Sequence, residues 1–268
     1  MTKERIDVSL VARGLCDSRA KAQALVMAGQ VYIGEQKVLK SSQIVTEADE
    51  IIVRGGKRFA SRGGYKLEKA LKSFNADVTG KVCMDIGAAT GGFTDVLLKS
   101  GAKHVYAIDV GYGQLDWSLR NDERVTVMEH TNARHLKPED VPLMPKVTVM
   151  DVSFISIKLI IPVAASLMGD GGVFYTLVKP QFEAGRERVG KKGVVSDKKT
   201  HIDVLKSIVD FAPSVGCQVR ALDFSPITGP EGNIEFLAHI TGRDETAGEL
   251  DDAYISELVE RAHAELKK

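Results

Sequence analysis

The 268 residues, 44% hydrophobic and 27% charged, suffice for one large α/β domain and a small one, with ample apolar content for a core. The formal net charge is zero, yet residues 1–72 carry fourteen Lys/Arg against eight Asp/Glu, while residues 241–268 carry four against eight. A basic N-terminal part on a neutral chain suggests a polyanionic partner held by one region. Cys16, Cys83 and Cys217 lack CxxC spacing, so neither a zinc site nor a disulfide framework is signalled, and reduced thiols are expected. The opening MTKERIDVSLVARG has scattered charges and no apolar run, unlike a signal peptide. The longest apolar stretch, 159–168, is about half of what a spanning helix needs and contains Pro162. A soluble, cytoplasmic protein with no membrane partner is expected.

In chain order, residues 5–13 predict a short helix burying Ile6, Leu10 and Val11 and ended by Gly14. Asp17 or Ser18 caps a second helix over 19–28, which Gly29 stops. Val31-Tyr-Ile and Lys37-Val-Leu around Gly34-Glu35 read as a β-hairpin, and Ile51-Ile-Val53 adds a strand. Domain limits are set at 1–54 for this module, 55–61 for a linker, 62–242 for the large domain and 243–268 for an acidic helical tail. The large domain opens with SRGGYKLEKAL (61–71), a helix with Leu67, Ala70 and Leu71 inward. Strands follow at 82–86, 105–109, 125–128, 147–151, 173–178, 218–224 and 234–240. Helices fit at 94–100, around 114–120, at 157–168 and 198–211, with one more at 252–267. Near-continuous apolar strands alternating with helices mean a mostly parallel sheet covered on both faces. Only a loop joins the last two strands, so that pair is antiparallel. A Rossmann-like α/β sheet with its last strand antiparallel suits a methyltransferase better than a dinucleotide-binding domain.

The most telling stretch is DIGAATGGFTD (85–95), a strand running through three glycines into a helix. Gly87, Gly91 and Gly92 break the GxGxxG spacing that seats a pyrophosphate. Asp85 would repel a pyrophosphate and welcome a cationic amino-acid group, so S-adenosylmethionine is the expected cofactor. Asp109, ending the next strand, is placed for ribose hydroxyls. Asp85, Gly87, Ala88, Gly91, Gly92, Phe93 and Asp109 are therefore the cofactor-binding candidates. Lys66 on the first helix, Asp151 and Lys179 at strand ends, and Glu235 opening the last strand form a second constellation at the same rim. A lysine serves as base only where burial or a neighbouring cation favours its neutral form. No CxxC metal pattern and no GxSxG elbow is present.

Two family resemblances sharpen these expectations. Arg5-Ile-Asp-Val-Ser-Leu10, Gly14-Leu-Cys-Asp-Ser-Arg-Ala20 and Gly29-Gln-Val-Tyr-Ile resemble the S4 type of RNA-binding domain, in which Arg19 and Lys21 would face RNA. The glycine loop with its Gly-Gly-Phe, and the Lys66-Asp151-Lys179-Glu235 set, resemble FtsJ-like 2′-O-methyltransferases. That resemblance implies Lys179 as base, Asp151 and Glu235 as orienting acids, and Lys66 as the group positioning the target nucleotide. Glu231 is the competing acid in the same loop. From end to end the chain resembles the TlyA family, hemolysin-named rRNA (cytidine-2′-O)-methyltransferases, which implies ribosomal RNA or ribosomal subunits as partner. Arg5, Arg13, Arg19, Lys21, Arg62, Arg186 and Arg188 are the RNA-binding candidates. The rival readings are a membrane-lytic protein and a non-catalytic RNA-binding assembly factor. The first lacks an export signal, a spanning segment and a strongly basic amphipathic helix; the second is disfavoured by the intact set of four.

Overall fold

The computed structural model describes residues 3–55, 58–169, 171–242 and 250–266. The chain divides into two compact units, Met1–Arg58 and Phe59–Lys268. Residues 56–57 of the expected linker, and 243–249 and 267–268 of the expected tail, lie outside the described residues.

The first unit runs β1 (Glu4–Arg5), α1 (Ile6–Ala12), α2 (Arg19–Met27), β2 (Val31–Ile33), β3 (Gln36–Lys37), β4 (Ile44–Val45) and β5 (Ile51–Val53). β1 pairs with β4, and β2 lies between β3 and β5, all antiparallel. Arg5, expected inside a helix, lies in a strand, because the backbone pairs with β4 before α1 begins. Of the two candidate caps for α2, Ser18 accepts from the Lys21 N–H, while the Asp17 carboxylate pairs with the Lys21 ammonium. Ile6, Leu10, Ala22, Val26, Val31 and Val45 make the core.

The second unit begins with α3 (Gly63–Ser73), β6 (Val82–Ile86), α4 (Gly92–Lys99), β7 (His104–Ile108), α5 (Trp117–Arg120), β8 (Val125–Met128) and β9 (Val147–Met150). It continues with α6 (Ile161–Leu167), β10 (Val173–Val178), α7 (Pro180–Glu183), α8 (Lys198–Phe211), β11 (Cys217–Phe224), β12 (Phe236–Gly242) and α9 (Asp252–Leu266). Seven strands form one sheet in the order β11-β12-β10-β9-β6-β7-β8. The pairs from β8 to β10 are parallel; β12 runs antiparallel to both β10 and β11. The alternation of side chains along a strand divides the core into two layers. Cys83, Val105, Val149 and Leu177 pack with α3 and α4 on one face. Met84, Ile108, Met150 and Phe174 pack with α6, α8 and α9 on the other.

The helix expected over 157–168 is broken into a 3-10 turn, Ile157–Leu159, and α6. Pro162 sits in the first turn of α6, where a missing N–H costs nothing, so proline marks a start there. Phe59, placed by the sequence in a linker, is buried against Gly64, where a Cβ would lie 2.5 Å from the ring. The helix assigned to an acidic tail buries Ile255, Leu258, Val259 and Ala262 in the same layer as α8, with Lys198–Glu260 and Lys206–Asp252 ion pairs at its margin. Its negative charge lies on one face and its apolar stripe on the other, and net charge alone does not reveal the stripe. Leu258→Ala should therefore destabilise the second unit by about 2–4 kcal/mol. Urea unfolding followed by far-UV circular dichroism checks this; a midpoint within error of wild type would mean that α9 is not part of the cooperative core.

Candidate active site

The winding of the sheet reverses at β6, with β7 and β8 on one side and β9 and β10 on the other. A crevice opens at the carboxyl ends of strands flanking such a reversal. Gly87 leaves β6 with φ 85°, and a Cβ there would stand 2.8 Å from the Asp151 carbonyl oxygen, so the two strand ends approach this closely only with glycine. A Cβ at Gly92 would strike Ser61 Oγ and the Gly64 amide, which lets the start of α3 lie on the start of α4. Gly91 (φ 89°) faces away, against Leu115 and Leu119. Gly87, Ala88, Gly92 and Phe93 line a cavity of about 230 Å³ whose other wall holds Ser61, Ser153 and all four charged candidates.

Those four form an alternating chain. The Lys179 Nζ lies 2.6 Å from Asp151 Oδ1, Asp151 Oδ2 lies 3.7 Å from Lys66 Nζ, and Lys66 Nζ lies 2.6 Å from Glu235 Oε2. Lys66, Lys179 and Glu235 are 7%, 8% and 1% exposed. Two cations and two anions thus cancel in a confined space, which is what makes their burial tolerable. The Lys179–Asp151 approach is an ion pair without hydrogen-bond direction; the directed bond from Lys179 Nζ goes to Ser153 Oγ at 3.0 Å. Glu235 comes just before β12 rather than opening it, and its side chain reaches Lys66 of α3.

A second cavity of about 410 Å³ shares Gly87, Ala89, Asp151 and Ser153 with the first and reaches Asp109, Val110, Gln114 and Asn132. Asp109 is anchored by the Ala89 and Gly111 amides, one on each carboxylate oxygen, which leaves outward lone pairs on both. Asp85 is wholly buried and lines neither cavity. Its Oδ2 accepts from Thr94 Oγ1 at 2.7 Å and its Oδ1 has no partner. Burial, with Asp151 and Asp109 nearby, pushes its pKa up to about 7 against the pull of the Thr94 bond.

Several neighbours went unread in the sequence. Phe154 has φ 64°, is 92% exposed, and meets Phe182 at 5.2 Å between ring centroids. With Gln181, Arg134 and Arg186 these rings line a third cavity of about 700 Å³. Glu183 joins the two strand-end loops by accepting from Ser156 Oγ and the Ile157 amide, and burial raises its pKa. A left-handed phenylalanine has no sequence signal; Ser153, two residues beyond a strand-end Asp, offered a weak one. Arg188 is paired with Asp203, and Arg62 is exposed at the start of α3. Among the described residues no cluster of three or more His, Cys, Asp or Glu is placed to hold a metal, and no helix is long and apolar enough to cross a membrane.

In the first unit, buried Asp7 accepts from both Arg5 Nε and Nη2, from Arg19 Nε and from Gln23 Nε2. The Arg5 bonds hold its carboxyl well below the usual range, with Gln23 and Arg19 adding to the effect and burial opposing it. Arg5 and Arg19 are thus oriented together while remaining half-exposed. Arg13 instead donates to the Thr46 and Asp49 carbonyls and braces the loop before β5. Lys21 pairs with Asp17 one turn earlier.

A mostly parallel sheet with an antiparallel end, a glycine loop at its reversal and a charged pocket beside it define the methyltransferase class of α/β domain. The chain belongs to the FtsJ-like methyltransferase family, which matches residues 59–241, and an S4 domain matches residues 4–51. It is 51% identical to "Putative rRNA methyltransferase YqxC" of Bacillus subtilis, over 99% of this chain and 96% of that one. It is 40% identical to "16S/23S rRNA (cytidine-2'-O)-methyltransferase TlyA" of Mycobacterium tuberculosis, over 98% of each. A solved structure, "Putative hemolysin from Streptococcus thermophilus", superposes with a TM-score of 0.75 at 46% identity, over 100% of this chain and 98% of that one.

The raised pKa of Asp85 has a consequence for stability. The unfolded carboxyl releases its proton near 3.8, whereas the folded one keeps it up to about 7. Across that window the folded state holds more protons, so stability falls as pH rises and stays at the lower level above it. Asp85→Asn keeps an acceptor for Thr94 and does not ionise, so its melting temperature should gain on wild type from about pH 4 to pH 8. Parallel pH profiles of the two proteins would contradict this.

Proposed function

We propose that this protein transfers a methyl group from S-adenosylmethionine to the ribose 2′-hydroxyl of cytidine in ribosomal RNA, in the cytoplasm. The observation that carries the reading is the Lys179–Asp151–Lys66–Glu235 chain, opening onto a cavity walled by the glycine loop. The named activity of the tuberculosis relative, 40% identical over nearly the whole chain, supports it.

The residues present fit the cofactor. Gly87 and Gly92 leave a bare backbone at the pocket wall, and Asp85, two residues before Gly87, has a buried acceptor oxygen without a partner. Asp109 has spare lone pairs for two ribose hydroxyls, and Val110 and Ala133 offer apolar contact to a purine in the second cavity. When bound, S-adenosylmethionine supplies an electrophilic sulfonium methyl.

A ribose hydroxyl is too weak an acid to attack unaided. In its neutral form Lys179 accepts the hydroxyl proton on Nζ as the oxygen attacks. Ser153, by a hydrogen bond, and Asp151, by its charge, hold that nitrogen at the cavity wall. Lys66, fixed by Glu235, presents its charge at the same cavity and positions the target nucleotide. Arg5 and Arg19, aligned by Asp7, bind RNA phosphates through the first unit, and Arg186 and Arg188 bind them beside the site.

Incubation with rRNA and methyl-labelled S-adenosylmethionine should place label on ribose. Lys179→Ala should lower kcat by about 10²–10⁴-fold, and Glu235→Gln should impair transfer with cofactor binding retained. No label on ribose from wild type, or wild-type rates from Lys179→Ala, would overturn the proposal.

A further inference from the structure

We propose that Asn233 is a positioning residue for the polyanionic substrate: it fastens the basic segment 186–192 beside the methyl-transfer pocket, and the C-terminal helix braces that fastening through His263 and His201. The proposal rests on the reading of the site given above and adds residues that no part of that reading uses.

The segment between α7 and α8 carries Arg186, Arg188, Lys191 and Lys192 and is largely exposed. Apart from a 3-10 turn, Arg186–Arg188, its regularity is a small closed loop in which the Gly190 amide donates to the Val194 carbonyl and the Gly193 amide to that of Gly190. Four cations on so thin a scaffold would wander unless its end were tied down. Asn233, 2% exposed and two residues from Glu235, does the tying. Its Oδ1 accepts from the Val195 amide at 2.9 Å, and its Nδ2 donates to the Gly193 carbonyl at 2.9 Å. A carboxamide offers an acceptor and donors in one plane, so it serves the loop as a neighbouring peptide would.

The other side of Val195 is held as firmly. Its carbonyl accepts from His201 Nε2 at 3.1 Å. A carbonyl only accepts, so Nε2 carries the proton, and in the neutral ring Nδ1 is left as an acceptor. That nitrogen lies 2.9 Å from His263 Nε2, within hydrogen-bond distance. His201 is wholly buried near the start of α8 and stacks edge-on to Phe236, the first residue of β12. A buried polar chain thus runs from α9 through His263, His201, Val195 and Asn233 to within two residues of Glu235. Arg188 adds an ion pair to Asp203 of α8. None of these contacts touches the Lys66–Glu235 pair, so their purpose lies with the loop and not with the chemistry.

Asn233→Ala strands the Val195 amide and the Gly193 carbonyl, and the loop must leave the protein surface to hydrate them. The basic groups then keep their charge but lose their register. Steady-state methyl transfer should show KM for rRNA rising about tenfold with kcat within about twofold, since a lost buried hydrogen-bonding partner is worth about a factor of ten. Affinity for S-adenosylhomocysteine should not change, and the salt dependence of RNA binding should become shallower. His263→Ala should move RNA KM in the same direction by a smaller factor. Hydrogen exchange gives a readout that needs no RNA: amides 186–195 should exchange faster in Asn233→Ala, with β6 and β9 unchanged. A fall in kcat at unchanged RNA KM, or unaltered exchange over 186–195, would overturn the proposal. If wild type methylates no RNA, the reading of the site fails; fluorescence-anisotropy binding of RNA and the exchange experiment still decide whether Asn233 fastens the loop.

Discussion

Lys66 and Glu235 are separated by 169 positions in the chain, and both are removed almost completely from water. Either one alone in that setting would be costly, and truncating one partner of such a pair typically costs about 3–5 kcal/mol. The pair therefore obliges α3, which precedes the sheet, to stay against the entrance of β12, near its end. Asp151 and Lys179 extend the alternation of charge from the ends of β9 and β10, so one electrostatic requirement gathers four elements around one pocket. The same compensation makes chemistry available there, because Lys179 is held by Asp151 and Ser153 without being sealed from the cavity.

The glycine loop imposes a constraint of a different kind. Its residues leave room: Gly87 for the Asp151 backbone and Gly92 for the turn into α3. A methyl group at either position would separate the charged chain from the glycine-loop wall of the pocket. Just before the loop, Asp85 is an incompletely satisfied acid whose remaining oxygen lacks a donor, a state that a bound cation would relieve.

Much of this was legible in the sequence because strand ends are. Asp109, Asp151 and Lys179 each stand just past a run of apolar residues, and in a parallel sheet all such ends share one rim. The loop spacing departed from GxGxxG, which made a pyrophosphate seat the less expected reading. What stayed hidden depended on distance or on rare backbone. Phe154 takes a left-handed conformation that no composition predicts, and Glu183 links two loops through contacts that only the folded chain makes. The Asn233 clamp and the His201–His263 pair join residues 38 and 62 positions apart, and each reads in isolation as ordinary surface or core.

The sequence by itself determined most of the strand and helix pattern, the antiparallel end of the sheet, the four charged residues of the pocket and the basic character of the first unit. These follow from periodicity, glycine placement and charge, all local properties. The tertiary structure decided that Asp85 is buried and lines neither cavity, that Arg13 braces a loop, and that the acidic C-terminal helix is core. It also decided the order of charges, Lys179–Asp151–Lys66–Glu235, which no spacing along the chain encodes. The physical reason is that burial and pairing depend on what the rest of the chain places opposite each group, and that is known only once the sheet has closed around them.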